Sequence, residues 1–323
     1  MAQMTTPMAP VSDHYYIVKS CAKKTSTKGD LYLDMIFQNA AEELPAKLWD
    51  YKPEAHDWIN AGMIVKVRGN EELWNDKKQF RIQRIRRVGP EDRLDLRQLV
   101  PCAPYEGEEM FTMLQDAIAA IGDESMRALV GLLVNRRHER LILAPAAVRL
   151  HHAMAGGLLY HTLSIVRLAQ QVCTVYPFLR QDLLVSGAIL HDLAKIDELI
   201  IEETGLASGY SVRGELLGHL VMGAMEIEKV ADELDTPAET RMLLQHMLIS
   251  HHGLPEYGAA VRPMVLEAEL LSMLDNMDAT VNQITAATAT VEPGGFSAKL
   301  WALDQRKFYR SPDAPAEDCV TRL

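Results

Sequence analysis

The chain has 323 residues and 36.1 kDa, a length that suits about two domains. Hydrophobic residues make up 48% and charged residues 24%, which excludes a disordered chain. No run reaches the roughly 18 consecutive apolar residues of a membrane-spanning helix. The net charge of −11 is uneven: residues 14–100 carry 16 Lys and Arg against 13 Asp and Glu, and residues 101–323 carry 17 against 30. A mildly basic N-terminal part therefore precedes an acidic remainder, which suggests a division of labour. The first residues lack the basic-then-apolar pattern of a signal peptide. Cys21, Cys102, Cys173 and Cys319 lie far apart with no CxxC pair, against a disulfide framework or a thiolate zinc site. A cytoplasmic protein is expected.

In chain order, residues 1–13 read as a flexible N-terminus. Residues 14–20, 30–38, 62–69 and 79–88 read as strands, being rich in β-branched and aromatic residues and in part alternating. Lys28, Gly29 and Asp30 mark a turn between the first two, and 40–58 has the composition of a short helix. Four or five strands with one inserted helix over 14–95 fit a small β-barrel of the OB type. Beyond Pro104, helix-period patterns follow one another at 108–121, 124–138, 145–175, 180–197, 213–233, 237–252 and 264–290, with a hairpin or loop at 200–213. The expected class is thus a multidomain α and β protein. It comprises an OB-like barrel, a helical linker at 96–145, an all-α bundle at 146–310 and a loose tail at 311–323.

Six histidines and two aspartates punctuate the bundle: His161, His191, Asp192, His219, His246, His251, His252 and Asp275. Gaps of about one helix length put them on successive helices, the arrangement of an inward-facing metal site. His161 shares a stripe with Leu158, Ile165 and Leu168, His191 with Leu184, Ala188 and Lys195, and His219 with Leu216 and Met222. A buried imidazole or carboxylate is costly unless paired or metal-bound, so the cluster predicts a metal. On a continuous helix His251 and His252 lie about 140° and 240° around from His246, which sets His246 apart as a packing or supporting residue. Asp275 follows the stripe of Leu271 and Leu274, whereas Asp278 reads as a surface or supporting group.

The order H…HD…H…HH…D, with Lys195 one turn after His191, resembles the HD-domain metal-dependent phosphohydrolases. The blocks 151–169, 183–199, 216–220, 243–253, 267–279 and 300–309 further resemble the YhaM-type 3′–5′ exoribonucleases, which place an OB-fold before the HD domain. The resemblance implies one or two divalent ions, Mn²⁺ first, with Fe, Co and Zn left open. His161, His191, Asp192 and Asp275 match the HD ligands, and His219, His251 and His252 match positions that bind a second ion in binuclear relatives. It also implies hydrolysis of single-stranded RNA from the 3′ end to nucleoside 5′-monophosphates. Asp192 and Lys195 are expected at the reacting phosphate, the lysine as a cation for a non-bridging oxygen. Single-stranded DNA as a second substrate and a homo-oligomer are left open, and no membrane partner is expected.

Residues 77–87 hold six basic residues in eleven. In a strand, Phe80, Ile82 and Ile85 would pack while Arg81 and its neighbours face solvent; Arg81, Arg84 and Arg86 are the candidates for nucleic acid, with Tyr16, Tyr32, Phe37 and Trp74 as stacking aromatics. Arg306 and Tyr309 are further candidates for nucleic acid. Ala155-Gly156-Gly157 has no preceding strand and reads as close packing rather than a dinucleotide fingerprint. Two alternatives stand beside the exoribonuclease: a non-catalytic single-strand-binding protein with a structural metal, and a phosphohydrolase of small or cyclic nucleotides. A di-iron oxygenase is favoured by nothing but the ligand types.

Overall fold

A computed structural model describes residues 11–27, 29–40, 42–74, 77–92, 94–148, 152–313 and 323. Lys28, Cys319 and residues 314–322 lie outside them, as do the side chains of Trp74 and Lys77. The chain divides into two compact units: the first runs to Cys102 and includes Glu202–Thr204, and the second holds Ala103–Ile201 and Gly205–Leu323.

In the first unit β1 (Ser12–Thr25), β2 (Leu31–Gln38), β3 (Glu43–Leu48), β4 (Ile64–Trp74) and β5 (Lys77–Arg87) close a barrel in the order β1-β2-β3-β5-β4. All pairs are antiparallel except β3 with β5, where Ala46 faces Phe80. A single turn of helix, α1 (Pro53–His56), links β3 to β4, and the topology is OB-like. Ser12 and Asp13, expected in a flexible N-terminus, already pair with Gly69 and Arg68 of β4. About a third of the stretch expected as a helix at 40–58 is strand β3, because Leu44, Ala46 and Leu48 alternate inward with Glu43, Pro45 and Lys47 between them. The core is Tyr16, Val18, Leu33, Met35, Phe37, Val65, Val67, Phe80 and Ile82 with their neighbours. A bulge opposite Arg68 and Gly69 adds one residue to β5, shifting the alternation so that Ile85 turns inward after Ile82.

The second unit is helical. It contains α2 (Gly107–Ala119), α3 (Glu124–Asn135), α4 (His138–Leu141), α5 (Gly157–Val175), α6 (Gln181–Leu190) and α7 (Lys195–Glu198). The hairpin β6 (Leu199–Ile201) and β7 (Ala207–Tyr210) precedes α8 (Val212–Glu233), α9 (Ala238–Ser250) and α10 (Leu266–Ala289). Asp123 caps α3 by accepting the Met126 N–H, and Ser211 caps α8 by accepting that of Gly214. Helices α2 and α3, expected as a linker, bury Met110, Leu114, Leu129 and Leu133 in the same core as α5, α6 and α9. Two helices are shorter than their hydrophobic period. The helix expected from 145 begins at Gly157, because His152 and Gly156 take positive φ and the His152 carbonyl accepts the N–H groups of Ala146 and Met154. A Cβ on Gly157 would lie 2.1 Å from that carbonyl, which is what the paired glycines permit. The helix expected over 180–197 breaks after Leu190 into a turn at 191–194.

Candidate metal centre

Five segments of the helical unit converge on one buried cluster. α5 supplies His161, the turn after α6 supplies His191 and Asp192, α8 supplies His219, the C-terminus of α9 supplies His251 and His252, and α10 supplies Asp275. Neighbouring residues on a straight helix diverge by about 100°. At the turn that follows Leu190, His191 and Asp192 are nonetheless both buried. His251 likewise terminates α9, and Gly253 takes a positive φ just beyond.

The distances are short. His161 Nε2 lies 3.2 Å from Asp275 Oδ1 and 3.3 Å from His191 Nε2. Asp192 Oδ1 lies 3.2 Å from His219 Nε2 and 3.6 Å from His251 Nε2. Ligand atoms of His219, His251 and His252, of His161, His191 and Asp192, and of His191, His251 and Asp275 each gather within 4.8 Å.

Hydrogen bonds on the outer side of each ring select its tautomer. His191, His251 and His252 donate Nδ1–H to the carbonyls of Ala188, Leu248 and Tyr257 at 2.9, 2.7 and 2.9 Å. His219 Nδ1 lies 3.0 Å from Glu198 Oε1 and His161 Nδ1 lies 2.8 Å from Asp278 Oδ2. Each Nε2 atom is thereby turned into the cluster, the carboxylate–histidine arrangement of metal sites. His152, on the loop before α5, holds the same Asp278 oxygen through Nε2 at 2.8 Å. Among the described residues, Asp192 Oδ1, His219 Nε2 and His251 Nε2 are buried and have no hydrogen-bond partner. Three converging acceptors without a donor repel one another unless a cation sits among them, and N and O donors suit a divalent transition ion. The residues fit the metal.

Burial raises the Asp192 carboxyl's proton affinity, but the Lys195 ammonium and His191 outweigh it and hold the group well below the usual carboxylate range. Lys195 donates to Asp192 Oδ2 at 2.6 Å. Asp275 and Asp278 are also held low, the burial penalty being exceeded by hydrogen bonds from His161 and, for Asp278, His152. Burial lowers the His161 pKa, yet Asp275 and Asp278 more than reverse this and bring it up to about 9. His252, facing His251 and His219 rather than a carboxylate, is pushed by burial down to about 4.

His246 stands apart: its Nε2 accepts the Met264 N–H at 2.9 Å. Asp278, expected at a surface or in support, is buried and supports His161. Glu198 and His152 were not singled out in the sequence. Glu198 lies in the short α7 with no period to reveal a face, and His152 is flagged only by the paired histidines before two glycines.

The barrel candidates separate into surface and core. Tyr16 and Phe37 are corrected: at 3% and 0% exposure they stack on each other inside the barrel, 5.1 Å apart, where no base can reach. Tyr32 instead stacks at 4.6 Å on the exposed Trp49, with Lys47 Nζ over both rings, a pairing that strand β3 creates. Arg81 is exposed, and Arg84 lines a groove of about 440 Å³ with Lys66, Arg68 and Arg86. Arg86 is committed to Asp92, both of its terminal nitrogens donating at 2.6 Å. Trp74 lies on β4 with its side chain outside the described residues. Arg306, in the helical unit, is exposed and donates Nε–H to the Leu303 carbonyl.

The HD domain family model matches residues 158–280, a span that includes every ligand candidate. The chain is 35% identical over 298 residues to the 3′-5′ exoribonuclease YhaM of Bacillus licheniformis, covering 92% of this chain and 94% of that one. It is 36% identical over 298 residues to the protein of the same name from Geobacillus sp. (strain WCH70), covering 92% and 91%. Likeness of that extent spans both the barrel and the helical unit with its histidine–aspartate cluster, and the chain belongs to the YhaM family of 3′–5′ exoribonucleases.

Proposed function

We propose that this protein is a metal-dependent 3′–5′ exoribonuclease that hydrolyses single-stranded RNA to nucleoside 5′-monophosphates in the cytoplasm, with Mn²⁺ as its ion. The observation that carries the reading is the group of buried acceptors, Asp192 Oδ1, His219 Nε2 and His251 Nε2, which lack any hydrogen-bond donor. It is supported by the likeness to exoribonucleases along nearly the whole chain.

His161, His191, Asp192 and Asp275 would hold one ion, and His219, His251 and His252 a second. Such ions supply a water acidic enough to ionise near neutral pH and positive charge for the phosphoryl oxygens. The chain's own groups do the rest. Glu198 and Asp278 fix the rings of His219 and His161, so the donors need no reorganisation when an ion arrives. Lys195 keeps Asp192 ionised and lies partly exposed at the cluster, where its ammonium can meet a non-bridging oxygen. On the barrel, Tyr32 with Trp49 and the Arg81 and Arg84 strand offer stacking and charge to a single strand. Among the described residues no helix is long and apolar enough to cross a membrane.

The test is a 5′-labelled single-stranded RNA incubated with the protein and Mn²⁺, with chelator, and with the Asp192→Ala variant. The expected result is a ladder shrinking from the 3′ end that disappears with chelator and in the variant. RNA retarded in a gel but left intact would replace the nuclease with a binding module. RNA neither bound nor cut would redirect the site to small nucleotides.

A further inference from the structure

The segment after α10 has no part in the metal centre, yet it is built with care. Phe296 bridges Tyr309 and Leu300 bridges Arg306, so residues 295–310 form an irregular hairpin. Ser297 N–H donates to the Phe308 carbonyl at 2.9 Å, and Phe308 N–H returns to Ser297 Oγ at 3.0 Å. Asp304 and Gln305 both take positive φ to turn the chain. Arg310 ties the hairpin to the end of α10, its Nη1 donating to the carbonyls of Ala289 and Val291 at 3.0 and 2.6 Å.

This ordered hairpin encloses almost no core: of its residues, only Ser297 and Leu303 are buried. Its aromatic rings face out, with Phe296 63%, Trp301 70% and Tyr309 51% exposed. Phe296 and Tyr309 lie 5.2 Å apart as a cross-strand pair, so they are braced by each other rather than by packing beneath. Charge is the second signal. Lys299, Arg306, Lys307 and Arg310 stand against Asp304 alone, a net of +3 inside a stretch, 101–323, that totals −13. Exposed rings interleaved with cations are the surface that single strands use, since every base has a face to stack and every linkage a charge. An apolar patch for another protein would need no such local excess of cations.

We propose that the hairpin of residues 295–310 is a stacking clamp for single-stranded RNA, with Trp301, Tyr309 and Phe296 as its platforms and Lys299, Arg306 and Lys307 on the phosphates. The inference rests on the nuclease reading and adds a subsite to it. The clamp is fixed to the helix that carries Asp275 and Asp278; Asp278 and Ala289 are eleven residues, about 16 Å, apart along α10. RNA held there is engaged upstream of the cluster, so its contribution grows with substrate length.

The experiment compares the full-length protein with a Trp301→Ala/Tyr309→Ala variant on long oligoadenylate and on diadenylate with Mn²⁺, and measures anisotropy of the labelled long strand in chelator. We expect KM and Kd for the long strand to rise about tenfold. Turnover of diadenylate should not change, and Trp301→Phe/Tyr309→Phe should recover most of the loss. Unchanged KM and Kd in the alanine variant overturn the clamp. An unchanged Kd with a smaller sedimenting mass overturns it in favour of an interface between copies of the chain. If the wild type binds the strand without cutting it and the variant loses that binding, the clamp stands and the nuclease reading fails; if the wild type neither binds nor cuts, both fail.

Discussion

The imidazoles of the cluster are oriented one atom at a time. Three give Nδ1–H to main-chain carbonyls, and two lean on carboxylates, Glu198 for His219 and Asp278 for His161. Glu198 also accepts the His219 N–H at 3.0 Å, so it holds both the backbone and the ring. Replacing an orienting carboxylate should therefore weaken metal binding without removing a ligand. Glu198→Gln and Asp278→Asn are each expected to raise the Mn²⁺ dissociation constant about 10- to 100-fold, read by isothermal titration. Wild-type affinity in both variants would remove the orienting role. The histidines and aspartates of the cluster were legible because imidazole next to aspartate, repeated at helical intervals, has few other uses. Their supports were not, since a glutamate in a four-residue helix looks like any surface glutamate until the fold shows what it touches. Tyr16 and Phe37 failed for the opposite reason: alternation reveals that a strand has two faces, and only closure of the barrel decides which one is inside.

At the scale of elements, departures from regular helix do the positioning. α8 contains Gly218 at φ 69° and ψ 159°, a region that only glycine occupies readily. The kink frees the His219 N–H from the helix ladder for Glu198. Gly218→Ala meets no atom closer than 3.9 Å, so its cost is backbone strain alone, about 1–3 kcal/mol. A lowered Tm together with weaker Mn²⁺ binding is expected; a variant with wild-type values of both would show that the kink is dispensable. In the barrel, the loop after β5 is organised by Asp92, which accepts from Arg86, from the Gly89 N–H and from Lys66. Arg86 first, then Gly89, hold its pKa far below the ordinary value. A group so depressed stabilises the fold above its unfolded pKa of about 3.9, and that contribution is lost as pH falls toward the folded value. Asp92→Asn should thus lower barrel stability at pH 7, with the difference from wild type shrinking in urea titrations carried out below pH 4. An undiminished difference in acid would mean that shape rather than charge is at stake.

For the whole molecule, a stretch of net charge +3 (14–100) precedes one of −13 (101–323). If the basic barrel strand holds RNA, affinity should fall with salt, and Arg84→Glu should flatten the logarithmic slope by about one unit. An unchanged slope would clear that strand of phosphate contact. In the helical unit, chelation should lower the Tm and Mn²⁺ should restore it, because an ion that binds only the folded cluster stabilises it by mass action. His191→Ala should abolish the restoration, while equal rescue of that variant would place the ion elsewhere. The sequence by itself determined the two architectures, the histidines and aspartates that gather in the helical unit, and the basic strand. Composition, period and residue chemistry are local properties that survive without knowledge of neighbours. Tertiary structure alone decided that α2 and α3 belong to the helical core and that Glu198 and His152 serve the cluster. Those outcomes depend on where helices break and what then packs against the break, and such contacts join residues too far apart in the chain for any local pattern to record.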